Sequence, residues 1–126
     1  GHAGLFGALR QVTGWLQALR AIWAGQTGGP LSPESVRRMW TPLKPDDPFT
    51  PGFDRPSRKG FTTAGETVDR EAAVGHLGFS GTAFWIHPPT GRGGVLLTNR
   101  VALGRHAGMD ALRAFRTEFF SEVWRV

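Results

Sequence analysis

Residues 75–88 read Gly75-His76-Leu77-Gly78-Phe79-Ser80-Gly81-Thr82-Ala83-Phe84-Trp85-Ile86-His87-Pro88, and residues 96–101 read Leu96-Leu97-Thr98-Asn99-Arg100-Val101. In the first run Thr82, Phe84 and Ile86 alternate with Ala83, Trp85 and His87, the period of two expected of a β-strand. Pro88-Pro89-Thr90-Gly91-Arg92-Gly93 reads as a hairpin turn, and Gly94-Val95-Leu96-Leu97-Thr98-Asn99 as a returning strand apolar on both faces and covered on each side. An antiparallel arrangement over residues 73–99 follows.

On the C-terminal side, Met109, Leu112, Phe115, Phe119 and Val123 recur at helical spacing between Arg113, Arg116, Glu118 and Glu122. This predicts an amphipathic helix over residues 107–125 lying on the sheet. On the N-terminal side, Leu5, Leu9, Val12, Leu16, Leu19 and Trp23 form a stripe that predicts a helix over residues 1–24, ended by Gly25 and Gly28-Gly29-Pro30. A short helix over 32–41 has Ser32 to cap it, Pro33 at its first position and Glu34 at its positive end. Thr41-Pro42 closes it, because a residue before proline avoids helical geometry. Residues 42–72 carry Pro42, Pro45, Pro48, Pro51 and Pro56, too many for a helix or a central strand, and read as a long surface connection with a polar continuation from 62. Phe49 and Phe53 within it are expected to pack down. Helices around an antiparallel sheet make the class α+β, in one domain.

Composition narrows the chemistry. The 126 residues contain no cysteine, which excludes disulfides, iron–sulfur clusters, cysteine-ligated zinc and thiol nucleophiles. No apolar run is long enough to span a membrane. Fifteen Lys and Arg against ten Asp and Glu give a net charge of +5, but only Lys44 and Lys59 are lysine and the arginines are dispersed. That dispersal disfavours a nucleic-acid partner. The chain opens at Gly1 with no initiator Met and no leader pattern, which reads as a processed product or a piece of something longer. The cellular compartment is left open.

Gly91-Arg92-Gly93-Gly94 is a hairpin turn rather than a phosphate cradle, since a strand and not a helix follows it. Gly78-Phe79-Ser80-Gly81 lacks the second spacer of the nucleophile elbow, so Ser80 is a weak nucleophile candidate. His2, His76, His87 and His106 never stand four apart, and no metal or other cofactor is expected. His76 and Gly78 are expected on one strand face, where a side chain beside bare backbone suits ligand docking. A half-buried histidine beside a glycine bulge fits the same spacing.

The two runs quoted first closely resemble the C-terminal part of the serine β-lactamase and penicillin-binding-protein-like family. Gly1-His2-Ala3-Gly4-Leu5-Phe6 is similar to the segment opening that family's helix near the active site, and Phe53-Asp54-Arg55-Pro56-Ser57 to the piece before its third motif. That motif, Lys-Thr-Gly or a His-x-Gly variant, falls on His76-Leu77-Gly78. The resemblance implies that His76 offers substrate a polar or cationic contact, that Gly78 keeps the strand bare for substrate, and that the Phe79 N–H is an oxyanion-hole donor. Leu77 stands where threonine is usual and removes a hydroxyl.

The family attacks with the serine of Ser-x-x-Lys, assisted by the tyrosine of Tyr-x-Asn. This chain has no tyrosine, and three positions after Ser32, Ser35, Ser57, Ser80 and Ser121 stand Ser35, Arg38, Gly60, Ala83 and Trp124. The nucleophile is thus absent, and the chain alone is expected to be nearly inert. The resemblance implies the C-terminal portion of a serine hydrolase whose N-terminal half completes the domain, acting on an ester, amide or β-lactam carbonyl through an acyl-enzyme. It also implies that the strand at 95–99 has lost a neighbour, which predicts a homodimer through that edge or the closing helix. The alternative is a stand-alone, non-catalytic binding or oligomerisation domain that uses the strand for a partner.

Overall fold

A computed structural model describes residues 4–104 and 107–125. Along the chain come α1 (Leu9–Trp23), α2 (Pro33–Trp40), β1 (Val74–Leu77), β2 (Ala83–His87), β3 (Arg92–Leu96), a 3₁₀ turn (Arg100–Leu103) and α3 (Met109–Trp124). The strands form one antiparallel sheet in the order β1-β2-β3, with His76 opposite Phe84 and Phe84 opposite Val95. The architecture is α+β.

Alternation along β2 decides the layering. Phe84 and Ile86 join Leu16, Leu19, Val36, Trp40, Phe53, Val74 and Val95 in a core under α1 and α2. Ala83 and Trp85 turn to the other face and join Ala64, Val68, Ala73, Leu96 and Phe120 under α3. The sheet is therefore a middle layer with a core on each face. Each well-buried large apolar side chain contributes on the order of 2 kcal/mol relative to exposure. Edge-to-face rings tie the first core together, with Trp40–Phe53, Phe53–Phe84 and Trp15–Phe84 centroids 5.8, 6.0 and 5.7 Å apart.

Several boundaries differ from the sequence reading. The stripe begun at Leu5 runs ahead of the helix: α1 starts at Leu9, where the Ala8 N–H donates to Gln11 Oε1 at 2.8 Å. Gly4 has a positive φ of 89°, and Leu5 lies outside the helix and exposed. Arg92 and Gly93, assigned to the turn, belong to β3, and residues 97–99, assigned to the strand, lie beyond it. There the chain turns back, because the Arg100 N–H donates to Ser80 O at 2.8 Å. Of the two phenylalanines expected to pack, Phe53 is buried and Phe49 is exposed.

The proline-rich connection is held from inside. Proline lacks an N–H and leaves neighbouring carbonyls without ladder partners. Arg55, 7 % exposed, supplies the donors, with Nη1 at 2.9 Å from both Pro45 O and Asp47 O and Nη2 at 3.3 Å from Glu71.

Candidate active-site strand

β1 is an edge strand whose outer side is partly covered. Asp54 pairs with Gly75 in both directions (2.8 and 3.0 Å), and its carboxylate accepts the Leu77 N–H at 3.1 Å. Asp54 lies 23 residues from Leu77, and nothing in its spacing marks it for this task. It holds the outer edge of β1 as far as Leu77, the last residue of the strand. His76, Leu77 and Phe79 are all exposed. His76 Nδ1 lies 3.1 Å from Leu77 O, and the Phe79 ring is covered on one face by the Arg100 guanidinium, 5.0 Å from its centroid.

Gly78 stands one residue outside β1, in the turn to β2, so the period-two argument that put it on one face with His76 ends at Leu77. Its bareness is taken up internally, since a Cβ there would lie 2.1 Å from Thr82 Oγ1. The turn is closed by Gly78 N–H to Thr82 O (2.8 Å) and Gly81 N–H to Gly78 O (3.1 Å). Gly81 takes a φ of 101°, which L side chains rarely adopt.

Two buried arginines lie beneath this turn. Arg116 of α3, 4 % exposed, donates Nη2 to Gly78 O (2.9 Å) and Thr82 O (2.7 Å) and Nε to Gly81 O (3.2 Å). Arg100 donates Nη2 to Phe79 O (3.0 Å) and Nη1 to Ala107 O (2.9 Å). Burial and then the neighbouring Arg100 charge lower the pKa of the Arg116 guanidinium from its usual range. Sequence reading placed Arg116 on the polar face of its helix and missed this role. Its only advance sign was an arginine four residues from Leu112 and Phe120, on the apolar side.

Ser80 contributes its carbonyl, which accepts from the Arg100 N–H and Thr98 Oγ1. His87 is occupied elsewhere, with Nε2 3.4 Å from Asp69 and Nδ1 2.8 Å from Thr90 Oγ1. Burial alone would raise the Asp69 carboxyl, but N–H donors from Glu71 and Ala72 and the nearby His87 outweigh it and hold it low. His2 and His106 lie outside the described residues. Among those described, no three metal-ligating side chains cluster, and no helix is long and apolar enough to cross a membrane.

The sheet with helices on both faces, ended by a histidine-bearing edge strand and a glycine turn, defines an α+β domain. The chain belongs to the Beta-lactamase family, whose model matches residues 1–118. Searches of curated proteins and of solved structures returned no match.

Proposed function

We propose that this chain forms the substrate-strand half of a β-lactamase-like serine hydrolase, in which His76, Leu77 and Gly78 receive a carbonyl substrate and the Phe79 N–H stabilises the oxyanion. The observation that carries this is the exposure of His76, Leu77 and Phe79 at the end of the β1 edge strand, next to the Gly75 backbone that Asp54 pairs. The serine that forms the acyl-enzyme, and the lysine and tyrosine that assist it, come from outside residues 1–126. A charge-stabilising N–H without a nucleophile gives only residual catalysis. Substrate would meet the exposed apolar side chains of Leu77 and Phe79 beside His76, which favours an acyl group of low polarity.

Fluorophosphonate labelling and p-nitrophenyl acetate hydrolysis test this on protein made from the complete reading frame. The expected result is a labelled serine upstream of residue 1 and turnover that residues 1–126 alone do not support. Enzymatic turnover by residues 1–126 alone would overturn the assignment, as would an unlabelled, inactive complete protein.

A second reading, a binding or oligomerisation domain, is favoured by one feature. Among the described residues no strand pairs with the outer edge of β3, and an open groove of about 400 Å³ lies between it and α1, lined by Leu16, Gln17, Arg20, Gly93 and Val95. A second copy could add a strand there. A monomer at micromolar concentration in sedimentation removes the oligomerisation form of that reading.

A further inference from the structure

We infer that Arg116, assisted by Arg100, is a positioning residue that aims the Phe79 N–H. The inference rests on the oxyanion role proposed for Phe79 and adds the device that would set its direction.

The argument starts from the carbonyls of the turn. Gly78 O is held by Arg116 Nη2 and the Gly81 N–H, and Phe79 O by Arg100 Nη2. Ser80 O is held by the Arg100 N–H and Thr98 Oγ1, Gly81 O by Arg116 Nε, and Thr82 O by Arg116 Nη2 and the Gly78 N–H. All five consecutive carbonyls thus point at donors inside the protein. The 78–79 peptide is planar and trans, so its C=O and N–H point in opposite directions. Drawing Gly78 O down to Arg116 therefore turns the Phe79 N–H away from the buried layer. Drawing Phe79 O to Arg100 does the same for the Ser80 N–H.

The choice of residue fits the task. A guanidinium offers five donors in a rigid fork, so one side chain spans the carbonyls at 78, 81 and 82 and fixes both ends of the turn together. Bonds from a charged donor are roughly twice as strong as neutral ones. Arg116 has these three carbonyl partners and, among the described residues, no carboxylate within ion-pair distance. Among the described residues no acid offsets its positive charge, in a layer where screening by water is weak. Negative charge developing above the turn would be the complement.

The test uses protein made from the complete reading frame, with ¹⁵N-phenylalanine labelling, as wild type, Arg116→Gln and Arg116→Lys. Misaiming one oxyanion donor should lower kcat for p-nitrophenyl acetate about 10- to 100-fold. KM should change less than about threefold, because the N–H acts on charge formed in the transition state. The Phe79 amide resonance should move in Arg116→Gln, and Arg116→Lys should recover part of both effects. If Arg116→Gln does not fold, Arg116→Lys carries the test, with a smaller loss of kcat and a smaller shift. A folded variant with unchanged kcat and an unmoved Phe79 amide overturns the inference. If the wild type itself hydrolyses no ester, the hydrolase reading fails, and the amide alone decides the positioning: a shifted resonance supports it and an unmoved one overturns it.

Discussion

Gly78 has no room for a side chain, because Thr82 already fills the space beside it. A Cβ at 78 would lie 2.1 Å from Thr82 Oγ1 and 3.2 Å from Thr82 O. Threonine is stiff about χ1 and cannot move its hydroxyl away cheaply. Gly78→Ala should therefore cost about 1–3 kcal/mol of stability, as overpacking does. Adding Thr82→Ala should recover most of it, a coupling that a double-mutant cycle by thermal or urea unfolding would measure. Independent, additive effects would instead mean that the glycine is kept for something outside the turn. The motif itself is readable from sequence, since His76, Gly78 and Gly81 stand out by type and spacing. Its supports are not, because Asp54, Thr98, Arg100 and Arg116 reach it across 18 to 38 positions, and no local pattern encodes such contacts.

α3 fastens the C-terminal side of the molecule through one ring. Phe120 is wholly buried, and the helix backbone around it comes so close to Gly65 that a Cβ there would sit 2.7 Å from Phe120 C. One turn on, Trp124 Nε1 donates to Ala64 O at 2.6 Å, so the same segment is gripped twice. Phe120→Ala should cost about 3–5 kcal/mol, measured as the shift in denaturant midpoint at constant slope. A loss below about 1 kcal/mol would mean that α3 is held by its polar contacts instead. Phe120 was absent from the stripe read from the sequence, which ran through Phe115 and Phe119. Two adjacent phenylalanines, Phe119 and Phe120, make a helical face ambiguous by about one position. Phe115 is in fact half exposed. β3 was misplaced at its start, since Arg92 and Gly93 looked like turn residues. Gly94 is a strand residue that keeps space for α3, where a Cβ would lie 2.8 Å from Val123.

β2 sends alternate side chains into both cores, so neither can melt without stripping a face from the same strand. Unfolding should be a single transition in which tryptophan fluorescence, which samples Trp23 and Trp40 at one core and Trp85 and Trp124 at the other, superimposes on the far-ultraviolet signal. Two resolved transitions would mean that the sheet does not couple its faces. The α+β class was legible because each element carries its own periodicity. The three-layer arrangement was not, because it depends on which face each long-range partner covers. Arginine usage also becomes intelligible at this level. Among the described residues, Arg20, Arg37, Arg55, Arg58, Arg70, Arg92, Arg100 and Arg116 all donate to backbone carbonyls. They are dispersed because the irregular stretches they hold are dispersed. A main-chain oxygen, unlike a carboxylate, takes up no proton in mildly acidic water, and an arginine releases none. The 78–82 turn is thus fastened by bonds that mild acid leaves intact. In sour surroundings the five carbonyls from Gly78 to Thr82 should therefore keep their donors, and the turn its shape.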